Sequence, residues 1–212
     1  MDWFEWQDVA AQAWDFHDID SIATPLYVAA SQKLDELEGK FQQEAIARRG
    51  EAKTDDEYHM ACEDEEWEAR LHLRKKQALG ALALHLLQLS LRQRLDRAKG
   101  YFDATHPHGR GYKAKKGRLN QLKAEYKDRF KVNFNDSPVP YSRIEELVLA
   151  RNAGIHADSP GTFHNYLNKI PSPRFVNDDG EFSVDGANYQ CAVRDVKDFT
   201  KWVISELRKL RV

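Results

Sequence analysis

The sequence predicts an all-α fold, a helical bundle with one small β-hairpin inserted late in the chain. Three observations carry this prediction. Apolar residues recur at helical spacing along most of the length. Helix-start signals recur as Thr24-Pro25, as Thr54 with Glu57 three residues on, and as Ser142 with Glu145 three residues on. Only one stretch, Arg174 to Val184, reads as short strands about a turn, with Asp179-Gly180 at its tip.

In chain order, Trp3 to His17 holds Trp3, Phe4, Trp6, Val9, Ala10, Trp14 and Phe16, an aromatic helix closing over the core. Thr24 as N-cap and Pro25 at the first helical position open a helix towards Arg48, with Leu26, Ala30, Leu34, Leu37 and Phe41 on one face. The capping box Thr54–Glu57 starts a long helix that reaches towards Lys99. Its first turns are acidic from Asp55 to Glu68, a solvated face that suits the positive end of the helix dipole. From Leu71 to Leu95 it turns leucine-rich almost all round, so it is central to the bundle or shared with a second subunit. His85 inside that run is read as a core histidine.

Gly100 to Gly117 reads as an exposed loop, and a basic amphipathic helix follows. The helix beginning near Ser142 ends at Ser159-Pro160-Gly161, and Thr162 to Lys169 forms a short turn of helix. A last helix runs from Cys191, with Val196, Phe199, Val203, Leu207 and Leu210 inward.

With 212 residues, 42% hydrophobic and 31% charged, the chain has the composition of one soluble domain spanning residues 1–212. A formal net charge of −2 means that any nucleic-acid contact comes from a local patch. Such a patch exists in Lys113, Lys115, Lys116, Arg118 and Lys123, interleaved with aromatic residues, and it is read as the RNA-contacting run. Cys62 and Cys191 stand alone, which fits a reducing, cytoplasmic setting; no apolar run predicts a membrane span. His106 and His108 lack a third ligand, so no metal site and no cofactor is expected. Phosphate-loop, dinucleotide, zinc-protease and serine-hydrolase strings are absent.

The site is expected on the helix from Ser142. Ile144, Leu147 and Val148 mark an apolar stripe, to which Ile155 returns. Seven residues after Ile144, where another apolar side chain belongs, stands Arg151, followed by Asn152 and His156. An arginine on a buried face is costly unless it is paired or meets an anion. Arginine matches phosphate oxygens, and histidine takes and gives protons near neutrality. Together they suit metal-free RNA cleavage, with the 2′-OH attacking the adjacent phosphorus and the guanidinium stabilising the phosphorane. The alternative for the same residues is structural: Arg151 pairs with a buried carboxylate and His156 caps the helix end.

Arg151-Asn152-Ala153-Gly154-Ile155-His156 resembles the R-x4-6-H motif of the HEPN superfamily. The resemblance implies an all-α, HEPN-like bundle that dimerises, and a metal-independent endoribonuclease site shared between two subunits. Arg151 would be the phosphate and transition-state group, His156 the acid–base group and Asn152 a positioning residue. It also implies a setting in toxin–antitoxin pairs or antiviral (phage) defence, with an antitoxin or regulatory protein as a further partner. Positions five apart on a straight helix diverge by about 140°, so Arg151 and His156 converge either where Gly154 loosens the last turn or across a dimer. The competing functions are a non-catalytic HEPN-like dimer that binds RNA or a nucleotide, and an interaction subunit docking through the acidic run.

Overall fold

A computed structural model describes residues 19–105, 118–155 and 160–210, with the backbone alone for 101–105, 118 and 160. The expected aromatic helix before His17 lies outside the described residues. The chain enters through a π-helical turn, Ile19–Ala23, and runs directly into α1 (Thr24–Glu51). Ala23 is already helical at φ −66° and ψ −46°, so Thr24 makes no side-chain cap there, contrary to expectation. Pro25 sits in the first turn, where its missing N–H costs nothing. The inward line of α1 is Tyr27, Phe41 and Ala45, with Leu34 half-buried. Leu26 is exposed because it lies one residue, about 100°, off that line. Leu37, also expected inward, is exposed at its edge.

α2 (Asp55–Thr105) is the spine of the fold. Its start keeps half of the predicted capping box: Glu57 N–H donates to Thr54 Oγ1 at 3.2 Å, while the Glu57 carboxylate reaches one residue further back and accepts from Lys53 N–H at 2.7 Å. The first half of α2 lies against α1 as a helical hairpin. Arg49 meets Glu65 at 3.2 Å, Arg48 meets Glu68 at 3.6 Å, and Lys76 meets Asp35 at 2.8 Å and Glu38 as well. Part of the acidic run thus pairs with the basic last turn of α1 rather than facing only water. The second half of α2 enters the core, with Leu84, Leu87, Leu91 and Leu95 buried.

α3 (Arg118–Phe130) contributes Leu122, Tyr126 and Phe130 to that core. A 3₁₀ turn, Phe134–Asp136, then inserts Phe134 among Tyr126, Tyr141 and Phe199, with ring centroids 5.0–5.7 Å apart. α4 (Tyr141–Ile155) begins one residue before Ser142, with the Pro140 carbonyl accepting from Arg143 N–H at 2.9 Å. The expected capping box is therefore displaced: Ser142 and Glu145 line a cleft instead. α5 (Pro160–Lys169) starts at the proline that was expected to end regular structure. α6 (Gly186–Lys209) starts before Cys191 because Asp185 caps it, its carboxylate accepting from Asn188 N–H at 2.7 Å. Val196, Phe199, Val203 and Leu207 are buried as expected, whereas Leu210 is exposed.

The predicted β-hairpin does not form strands among the described residues. The segment reverses through one antiparallel bridge, Val176 to Phe182, with Gly180 at φ +78° in the turn. Two backbone bonds flank the turn, Asn177 N–H to Glu181 O at 2.9 Å and Ser183 N–H to Phe175 O at 3.1 Å. The ladder stops there because helices, not a third strand, hold the reversal. Phe175 and Phe182 are buried among them. An isolated strand pair needs that kind of outside support.

Two features fix how α4 sits. α4 runs antiparallel to α2, and this is the most extensive helix contact of the fold. Small residues, Ala150, Ala153 and Gly154, line its buried face towards the C-terminal end. A Cβ on Gly154 would come within 2.4 Å of the Phe182 ring and 2.8 Å of the Ala81 methyl, and one on Gly80 within 2.7 Å of Val184. The second feature is an ionic knot. Arg174 Nε donates to Glu146 Oε2 at 2.6 Å, and its NH1 to Asp195 Oδ2 at 2.6 Å. Tyr166 O–H and Arg174 N–H both donate to Glu146 Oε1, at 3.0 and 2.7 Å. α4, α5, the reversal and α6 are tied at one point, and Glu146 is only 2% exposed.

Candidate functional site

Arg151 and Asn152 sit in the last turns of α4, both half-buried. Arg151 is at the border of the buried face rather than at its centre, because Ala150, Ala153 and Gly154 make the contact with the rest of the fold. Its NH1 donates to Asn152 Oδ1 at 2.7 Å, so the two neighbours form one unit. The Arg151 Nε is buried and has no hydrogen-bond partner among the described residues. Nor does Arg151 form an ion pair among them, so the buried-carboxylate alternative finds no support there. A half-buried guanidinium held by a neutral amide keeps its whole charge available to an anion.

Antiparallel packing brings His85 of α2 up to Arg151. Burial, and then the positive charge of Arg151, push the His85 pKa below its ordinary value, so the imidazole is held neutral. Its Nδ1 is buried and unpartnered among the described residues. Two buried nitrogens that lack partners, on side chains within electrostatic reach, mark a polar site that the fold does not satisfy by itself. The sequence reading took His85 for a core histidine. The signal that distinguishes it is a polar line inside the leucine-rich run, His85, Gln88 and Arg92, at successive turns of one helix face.

That line leads along a groove between α2 and α4. Gln88 and Arg92 on α2 face Glu145, Val148 and Leu149 on α4 across a cleft of about 480 Å³. α3 closes one wall with Leu119 and Leu122, and Ile170 lies at the far end.

The other expected site residues divide. His156, Lys113, Lys115 and Lys116 lie outside the described residues, and so does the side chain of Arg118. Lys123 is half-buried, with its ammonium over the Tyr141 ring at 3.9 Å from the centroid. Further along the same basic helix Arg129 pairs with the buried Glu125 at 2.7 Å, and just past its end the Lys131 ammonium donates to the Asp128 carbonyl at 2.9 Å. Among the described residues no group of three or more His, Cys, Asp or Glu side chains gathers as metal ligands would, and no helix is long and apolar enough to cross a membrane.

No family model matches the chain, and neither a curated protein nor a solved structure does. The functional reading therefore rests on the chemistry of the site and on the motif.

Proposed function

We propose that the protein is a metal-independent endoribonuclease of HEPN type, acting on RNA at a site that two subunits share. The observation that carries this reading is the Arg151–Asn152 unit, a half-buried guanidinium with an amide tether and no carboxylate partner among the described residues. Such a group is suited to a phosphate that carries extra charge in the transition state.

In the proposed reaction an imidazole takes the proton from a ribose 2′-OH, whose oxygen forms a bond to the adjacent phosphorus. The bond from phosphorus to the 5′-oxygen then breaks, and that oxygen takes up a proton. The products are a 2′,3′-cyclic phosphate and a 5′-OH end. His156 is the acid–base group, Arg151 stabilises the phosphorane, and Asn152 fixes the guanidinium. Two copies of the motif facing each other would supply separate groups for taking and giving the proton.

The homodimer belongs to the same proposal. Met60, Trp67, Leu71 and Leu82 are exposed on α2 at separations of 7, 11 and 22 residues. These positions stay within about 40° of one line on the helix. Ile155, 49% exposed, lies one turn beyond Arg151 on α4. Of these, Leu82 and Ile155 stand within about one turn of His85 and Arg151, and exposed apolar side chains of this kind suit a second copy of the chain.

The test is cleavage of a loop-containing RNA in excess EDTA by wild type and by His156→Ala, with equal folding shown by circular dichroism. Wild type is expected to leave 2′,3′-cyclic phosphate ends, and His156→Ala to be slower by about a hundredfold or more. Equal rates in the two proteins would rule the assignment out. Cleft-dependent nucleotide binding without cleavage would favour a second reading, a non-catalytic RNA- or nucleotide-binding dimer, which the cleft that begins at Val148, one turn from Arg151, supports.

A further inference from the structure

The cleft between α2 and α4 begins one helical turn from His85 and Arg151, at Gln88 and Val148. We propose that the cleft of about 480 Å³ lined by Gln88, Arg92, Val148 and Lys169 is a nucleotide subsite, holding one unpaired nucleotide whose phosphate is directed towards Arg151, one turn beyond Val148 on α4. The assignment rests on the reading of Arg151 as a phosphate-binding group.

The size fits: binding clefts for small organic groups typically span roughly 300–1,000 Å³. So does the length. From Arg151 back to Glu145 is about 9 Å along the helix, room for a base and its sugar. The chemistry is graded in the order that a nucleotide needs. Leu119, Leu122, Val148, Leu149 and Ile170 form an apolar floor, a surface against which the flat face of a base is desolvated. Gln88, Asn120 and Glu145 stand around that floor. Two amides give and accept hydrogen bonds and the carboxylate only accepts, which suits the edge of a base. Arg92 and Lys169 supply positive charge at the far end, where a strand would present its neighbouring phosphate.

An apolar ligand accounts for the floor but leaves Gln88, Asn120, Glu145 and Lys169 without a task; Arg92 also meets Asp96 at 3.7 Å. A lone inorganic phosphate accounts for the cations but not for the floor. A nucleotide uses both. Position supports the same occupant, because Gln88 and Arg92 follow His85 at successive turns of α2, and Val148 and Glu145 precede Arg151 at successive turns of α4. Gln88 and Val148, which line the cleft, thus each stand one turn from His85 and Arg151.

A free mononucleotide and a nucleotide within an RNA strand share this chemistry, so both are used as probes. Binding of the four nucleoside 3′-monophosphates, and of a fluorescein-labelled, unstructured RNA of ten nucleotides, is measured for wild type and two variants. Val148→Trp fills the floor; Lys169→Glu reverses a charge on an exposed side chain and leaves the core untouched. Each variant is expected to weaken binding by about tenfold or more. Loss for both probes assigns the cleft to the nucleotide unit itself. Loss for the RNA alone assigns it to a strand.

Nucleotide and RNA affinities within twofold of wild type in both variants would overturn the subsite. So would a wild-type protein that binds neither probe. The two proposals fail separately. RNA cleavage with KM unchanged in Lys169→Glu leaves the ribonuclease reading standing and removes the subsite. Cleft-dependent binding with no cleavage does the reverse.

Discussion

His85 and Arg151 are far apart in the chain and come within electrostatic reach only because α2 and α4 pack antiparallel. Their encounter has a pH signature. Burial and the Arg151 charge hold the folded-state pKa of His85 below its ordinary value of 6.5. Below that value the unfolded chain takes up a proton at His85 that the folded chain refuses, so stability falls as pH drops through this window towards the lowered folded value. Arg151, from α4, is the charged group acting on the imidazole. In His85→Gln the melting temperature is expected to change less between pH 7.5 and 5.5 than in wild type. An identical slope, measured by thermal denaturation in matched buffers, would show that His85 does not sit against Arg151 as described.

At this scale the sequence was half legible. Arg151 and Asn152 were identified from an interrupted apolar stripe, and the structure joins them by a hydrogen bond. Arg151 was expected on the centre of that stripe, however, and stands at its border. Val148 and Ile155 looked like the core residues, but the close contact uses Ala150, Ala153 and Gly154. Small residues carry little hydrophobic signal, although they set how near two helices come.

Among the elements, the ionic knot has the largest mechanical role. Arg174 holds Glu146 of α4 and Asp195 of α6 while sitting in the reversal between α5 and α6. Replacing it with methionine leaves the buried Glu146 without its counter-charge and Asp195 with only the exposed Arg143, 3.6 Å away, and loss of one partner from a buried pair costs about 3–5 kcal/mol. Arg174→Met should therefore lower the urea midpoint strongly, and adding Glu146→Gln should restore part of the loss. A midpoint shift too small to resolve would show that the knot contributes little. Nothing in local sequence pattern announces this knot, since its members lie on four separate segments.

The long helices were legible because their signals are local: Thr54 caps α2 through Glu57 N–H, although the Glu57 carboxylate turns to Lys53 N–H, and α2 is the spine. The β-hairpin was the misreading at this scale. Asp179-Gly180 does make a tight turn, with Gly180 at positive φ. Whether a turn grows strands depends on a neighbouring edge to pair with, and here the neighbours are helices.

For the molecule as a whole, the α1–α2 hairpin carries Met60 and Trp67, each 66% exposed, out beyond the core. Together with Leu82 and Ile155 these residues give the proposed dimer its apolar surface. Light scattering at micromolar concentration should report two chains per particle. Leu82→Lys with Ile155→Lys should shift the population towards one chain without lowering the melting temperature of the single chain. A wild-type monomer at that concentration would count against a shared cleft and leave each Arg151 to act alone.

The close approach at Gly80 and Gly154 reaches further. Each glycine is matched by a bulky partner two residues from the other's: Val184 above Gly80 and Phe182 against Gly154. Enlarging either glycine would require its partner to shrink, so these four positions should drift together as the chain diverges. They form a fingerprint that spans α2, α4 and the reversal. Searching genomes for that covarying quartet, with Arg151 three residues ahead of the second glycine, offers a way to recognise distant kin by fit rather than by the short motif.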